Sequence, residues 1–148
     1  YGLHRFKLEE FVRKNFKNHT IIRCPQIYGP GVVKGFVYDL IHDNALDFTH
    51  KDSLLQFYHT KNFKKDIDFA IVNSLPLVNF AVEPTTAAEV ALYCRDMDLK
   101  TITEKAPLKF NMRSKYAYLY NKTNGYLYDK QEVLSDLKEF IQSERSKI

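Results

Sequence analysis

A chain of 148 residues that is 45% hydrophobic and 27% charged, with only five glycines and five prolines, is a globular domain or a domain with part of another, not a disordered, collagenous or low-complexity segment. No run of about 18 apolar residues occurs, so no membrane-spanning helix and no membrane partner are expected. The formal charge of +4 is spread along the chain, and the one cluster, Lys61, Lys64 and Lys65, sits beside Asp66 and Asp68; a solvated helix face rather than a nucleic-acid contact is expected there.

The chain opens on Tyr1, already inside an amphipathic pattern. Leu3, Phe6, Phe11, Val12 and Phe16 recur at near-helical spacing among charged residues, which predicts a helix over 1–17 and suggests a fragment of a longer protein. Thr20-Ile21-Ile22 is short, β-branched and without alternation, as a buried parallel strand is. A loop with two prolines and three glycines follows from Cys24 to Gly35, then a helix near 34–44 with Phe36, Val37, Leu40 and Ile41 inward. Leu46–Thr49 and Leu54–Tyr58 read as short strands around a polar turn. Thr60 is placed to cap a helix running to about Ser74, with Phe63, Ile67, Phe69, Ala70 and Ile71 on or near its buried face.

Leu77–Ala81 is another apolar strand. Thr86-x-x-Glu89 then has the form of a capping box opening a helix to about Cys94. Residues 99–122 carry weaker signals, with an extended run at Leu108–Met112 and a short helix at Lys115–Tyr120. Asn124-Gly125 marks a turn, and Asp129-x-x-Glu132 opens a last helix whose stripe is Val133, Leu134, Leu137, Phe140 and Ile141. The order is α/β in character. Cys24 and Cys94 form no CxxC, and the five histidines form no ligand pair, so a reduced, cytoplasmic protein without a structural metal is expected.

Two features could carry chemistry. Tyr1 and Arg5 stand four apart and so on one helix face, either as a surface pair or as a phenol whose pKa a neighbouring cation lowers for acid/base work. The segment Ile22-Arg23-Cys24-Pro25-Gln26-Ile27-Tyr28-Gly29-Pro30-Gly31 places a Gly/Pro-rich loop after a buried strand. That loop is either a tight structural turn or a ligand contact, because open α/β sheets bind ligands outside the carboxyl ends of their strands.

Tyr1-Gly2-x-x-Arg5-x-x-x-Glu9 followed by Ile22-Arg23-x-Pro25-x-x-Tyr28-Gly29-Pro30-Gly31 resembles the extended short-chain dehydrogenase/reductases, the NAD-dependent epimerases and dehydratases. Gln56-Phe57-Tyr58-His59 resembles that family's Asp-Phe-Val-Tyr strand. Leu77-Val78-Asn79-Phe80-Ala81 with Pro84-Thr85-Thr86-x-x-Glu89-Val90 resembles its Tyr-Asn-Ile-Gly strand and Thr-capped helix. The likeness covers about residues 1–95 well and the remainder loosely.

The resemblance implies the C-terminal part of a Rossmann-type parallel sheet plus a small α/β substrate-binding subdomain. Residues 1–33 would close the dinucleotide-binding domain and 34–148 would form the substrate-binding domain. It implies Tyr1 as the catalytic acid/base with Arg5 where the family has Lys, and Arg5, Pro25 and Gln26 on the cofactor side. Tyr28, Gln56 and Arg113 are implied on the substrate side, with Leu54-Leu55 and Gln56 standing where the family often has a cation and an Asp. The cofactor would be NAD or NADP through the parent protein, with weak or no binding by this chain alone, because the family's Gly-rich phosphate loop falls upstream. The substrate would be a small molecule, a sugar or nucleotide sugar, and the assembly a homodimer or other self-association. An inactive substrate-binding or dimerisation module of the same descent, or an unrelated α/β interaction domain, are the alternatives.

Overall fold

The computed structural model describes residues 2–148. Helix α1 (Gly2–Asn15) leads into strand β1 (Ile21–Arg23) and then β2 (Gln26–Tyr28). Helix α2 (Phe36–His42) is followed by β3 (Leu54–Leu55), β4 (Phe57–His59), α3 (Phe63–Val72), β5 (Leu77–Asn79), β6 (Thr85–Thr86), α4 (Ala87–Arg95) and α5 (Lys130–Arg145). The architecture is mixed α/β with short parallel pairings. β1 runs parallel to β5, with Ile21 opposite Leu77 and Arg23 opposite Asn79. β2 runs parallel to β4, with Gln26 opposite Phe57 and Tyr28 opposite His59, and β3 pairs antiparallel with β6. Strands from the first 33 residues are thus hydrogen-bonded to strands from later in the chain.

The helices pack as their apolar stripes require. α5 lays Val133, Leu134, Leu137, Phe140 and Ile141 against α4 and α2, which bury Ala87, Val90, Ala91 and Cys94 and Phe36, Val37, Leu40 and Ile41 respectively. Both acidic boxes form as expected. Thr86 Oγ1 accepts the Glu89 N–H at 3.1 Å while a Glu89 carboxylate oxygen accepts the Thr86 N–H at 2.7 Å. Asp129 and Glu132 repeat the arrangement at the start of α5. The carboxyl end of α2 is closed by two arginines from other helices. Arg95 donates to the Leu40 carbonyl at 2.9 Å, Arg145 to the Ile41 carbonyl at 2.7 Å, and both pair with Asp43, which sits in the left-handed region at φ 51°. Cationic groups at a helix carboxyl end satisfy orphan carbonyls and the dipole together.

Five expectations are corrected. Leu46–Thr49 is not a strand: Leu46–Phe48 is a 3-10 turn, set by Ala45 in the left-handed region, with the Phe48 N–H bonding back to Ala45. Thr60 does not cap α3. Residues 60–62 form a 3-10 turn capped by His59, whose Nδ1 accepts the Lys61 N–H, and Thr60 packs instead against Gly29. The inner face of α3 buries Asp66 and Ala70 and leaves Ile71 exposed. The run Leu54–Tyr58 is two strands, parted at Gln56, because its two halves pair with different partners. Residues 115–120 give a 3-10 turn, Ala117–Tyr120, rather than an α-helix.

The core contains one buried carboxyl. Asp66 accepts from the hydroxyls of Tyr58 at 2.6 Å and Tyr128 at 2.8 Å, both on the same oxygen. Burial, with Asp66 beside them, pushes both phenols well above their ordinary pKa.

Candidate functional site

β1 ends at Arg23, and the three residues that follow, Cys24, Pro25 and Gln26, form one wall of a cavity of about 320 Å³. Gln56 lies in its floor, and Phe110, Asn111 and Met112 form the facing wall. The cavity therefore stands at the carboxyl end of a parallel strand, where open α/β sheets bind ligands. On its other side Cys24 also lines a longer groove of about 740 Å³ between α1 and β1, whose walls include Gly2, Arg5, Glu9, Thr20 and Ile22. Cys24 is the residue that lines both.

Each part is held by local chemistry. Arg23 clasps Glu9 with two nearly parallel bonds, Nε to Oε1 at 2.8 Å and Nη2 to Oε2 at 2.6 Å. The Arg23 hydrogen bond holds the Glu9 carboxyl below its ordinary pKa, against partial desolvation. This pair ties α1, which has no buried residue of its own among those described, to the end of β1. The Gln26 side chain lies against Gly35. A Cβ on Gly35 would come within 2.4 Å of the Gln26 amide nitrogen, and Gly35 has a φ of +90°, so glycine is required there twice over. Burial pushes the Cys24 thiol up to about 11, so at neutral pH it is a neutral wall rather than a nucleophile.

The facing wall is strapped down at several points. The Leu54 N–H donates to the Leu108 carbonyl at 2.8 Å and the Phe110 N–H returns to the Leu54 carbonyl at 3.0 Å. The Tyr126 hydroxyl donates to the Asn111 side-chain oxygen at 2.5 Å, and the Asn79 amide donates to the Arg113 carbonyl at 2.8 Å. Phe110 nonetheless remains about half exposed beside the cavity.

The described residues singled out from the sequence fall in four places. Pro25, Gln26 and Gln56 line the cavity, and Arg5 lines the groove that shares Cys24 with it. Arg113 follows the facing wall directly and lays its guanidinium over the Tyr126 ring, 5.4 Å from the centroid. Tyr28 is 2% exposed and is not among the cavity walls; its ring packs on His59 and Phe140, and burial pushes its phenol well above the ordinary pKa. Tyr1, the acid/base of the resemblance, lies outside the described residues. Gln56 lines the cavity, but both its N–H donors go to main-chain carbonyls. The sequence showed Cys24 only as part of the loop, and it did not show the wall Phe110-Asn111-Met112 as part of a site. The signal for the wall was the extended pattern at 108–112, which marks a strand-like segment without saying what it faces. Among the described residues no group of three or more His, Cys, Asp or Glu could hold a metal, and no helix is long and apolar enough to cross a membrane.

Neither a scan against protein-family models nor a search of curated proteins finds a match for the sequence. Among solved structures, the fold is similar to that of a UDP-N-acetylglucosamine 4-epimerase from Bacillus cereus, with a TM-score of 0.66 and 16% identity. The match covers 98% of this chain and 52% of the epimerase, so the chain spans about half the length of that structure. At this identity the likeness is one of fold: nearly the whole chain, from α1 to α5, follows part of a Rossmann-like epimerase architecture.

Proposed function

We propose that the chain is the substrate-side part of an NAD(P)-dependent epimerase, dehydratase or reductase acting on a sugar or nucleotide sugar. One observation carries the reading. Residues of the Tyr-x-x-x-Arg helix, Arg5 among them, and of the Arg-x-Pro loop line two concavities that share Cys24 as a wall, at the carboxyl end of a parallel strand. The fold likeness to part of an epimerase supports it. On this reading residues 1–33 finish a dinucleotide-binding domain and 34–148 hold the substrate.

The residues fit the nicotinamide end of a dinucleotide and no more of it. Arg5 in the groove offers a cation to the ribose side, and Cys24, Pro25 and Gln26 offer a largely apolar edge with one amide. A bound nicotinamide would accept and return a hydride. Tyr1 would take and return the substrate hydroxyl proton, and Arg5 would favour the phenolate it passes through. Arg5 keeps the charge of the family's Lys but brings a planar fork of different reach, which is the observation that favours the second reading, a binding module without turnover. Arg113 would meet an anionic part of the substrate.

The test is nicotinamide fluorescence on the intact protein that carries this chain, with and without a sugar nucleotide. Binding, and a cofactor absorbance change abolished by Tyr1→Phe, is the expected result. Cofactor binding without any change in its redox state selects the module reading, and no cofactor binding at all overturns the enzyme reading.

A further inference from the structure

We infer that Gln56 is a positioning residue. Its side-chain amide sets the place of the wall Phe110-Asn111-Met112, and so the width of the cavity, with both of its N–H donors committed to the main chain. The inference rests on the reading of that cavity as the ligand site.

Gln56 is 2% exposed, at the point where one continuous strand would have been expected and two strands with different partners are found. Freed from both pairings, its side chain makes three bonds across the break. Nε2 donates to the Val82 carbonyl at 2.6 Å and to the Met112 carbonyl at 2.8 Å, and Oε1 accepts the Met112 N–H at 2.8 Å. The amide thus imitates a strand neighbour for Met112, taking its N–H and its carbonyl together. The same group anchors the wall to Val82, which is itself buried.

The chemistry is specific to an amide. Two carbonyls and one N–H require two donors and one acceptor on one planar group, which only Asn or Gln supplies, and Gln supplies at this reach. A carboxylate of the same length would still accept the Met112 N–H but would set its other oxygen, in place of the Nε2 donor, against two carbonyl oxygens. An apolar side chain of the same length would leave the buried Val82 carbonyl, and the partly buried Met112 carbonyl and N–H, without these partners. The other tethers of the segment, at Leu54, Asn79 and Tyr126, act on Phe110, Arg113 and Asn111 and leave Met112 to Gln56.

The test uses the intact protein and two variants. In Gln56→Met, hydrogen exchange at the Met112 amide should quicken ~10-fold or more, in line with the loss of a buried hydrogen bond. The Phe110 amide, bonded to the Leu54 carbonyl, should keep its rate. Equal rates at Met112 in variant and parent overturn the inference, as does equal acceleration at both amides. In Gln56→Glu the introduced carboxyl, followed by carbon NMR, should titrate above the ordinary Glu value of about 4.3. A carboxyl titrating at or below that value contradicts the donor requirement, and this arm decides the matter if Gln56→Met does not fold.

UDP-N-acetylglucosamine serves as the binding probe. Its affinity should fall ~10-fold in Gln56→Met. In Gln56→Glu, relative to the parent at each pH, it should be weakest above the raised pKa and recover below it, where the acid regains one donor. Affinity unchanged in both variants overturns the control of cavity width. No probe binding by the unaltered protein counts against the sugar-nucleotide reading alone, and the exchange and titration results then decide the role of Gln56.

Discussion

Gly29 is where the loop after β2 touches the turn that leads into α3, and replacing it tests how that corner is built. An ideal Cβ there would lie 1.9 Å from the Thr60 hydroxyl oxygen and 3.1 Å from the Thr60 Cβ. Gly29 is buried and its φ is +154°, a region side chains rarely occupy. Gly29→Ala therefore meets two separate costs. Overpacking against Thr60 is worth about 1–3 kcal/mol, and the backbone conformation about the same. Their sum, about 2–6 kcal/mol, corresponds to a fall in Tm of roughly 5–20 °C for a domain of this size. The two costs separate in a double-mutant cycle. Thr60→Ala removes the hydroxyl at 1.9 Å but keeps the Cβ at 3.1 Å, so in its presence Gly29→Ala should recover about 1–2 kcal/mol and no more. The assay is urea unfolding of the four proteins, compared at constant m. A Gly29→Ala protein within about 0.5 kcal/mol of the parent, or a cycle without coupling, refutes the close approach of Thr60.

Other predictions follow from the helix caps, the buried carboxyl and α1. Burial alone would raise the Glu89 pKa, but the Thr86 N–H, Lys130 and the Thr86 hydroxyl outweigh it and bring it from 4.5 down to about 2. Its folded pKa is depressed, so its contribution is present above about 4.5 and fades as pH falls toward 2; Glu89→Gln should flatten that part of the acid stability curve, and an unchanged curve argues against the box as its source. Tyr58→Phe leaves Asp66 with one of its two donors and should lower stability by about 1–3 kcal/mol in chemical denaturation, and no loss at all would mean the pair is not formed. Phe6 and Phe11 on α1 and Phe16 just beyond it are about half exposed, so self-association is expected in sedimentation and should weaken in Phe11→Glu. A monodisperse monomer at high concentration contradicts that surface's role.

What the sequence shows best is what neighbours in the chain decide. The boxes at Thr86/Glu89 and Asp129/Glu132 and the stripe of α5 form as read, because each depends on residues three or four apart. What it hides is set by partners distant in sequence. Leu54–Tyr58 has the composition of one strand, yet β3 faces β6 while β4 faces β2, and nothing within the run announces the break at Gln56. Thr60 has the chemistry of a cap and serves as packing against Gly29, thirty-one positions earlier. The same holds for the site. The loop Cys24–Gln26 was visible as a Gly/Pro-rich segment after a strand, whereas the opposite wall at 110–112 became part of the site only through bonds to Leu54, Gln56 and Tyr126.

The central claim is that the cavity between Cys24–Gln26 and Phe110–Met112 receives the substrate. It is tested most directly by titrating the isotope-labelled intact protein with UDP-N-acetylglucosamine and mapping amide shifts. The account predicts saturable changes concentrated at 24–26, at Gln56 and at 110–113, and their loss when Arg113 is replaced by Ala. Shifts confined to other surfaces, or none at saturating probe, would contradict it.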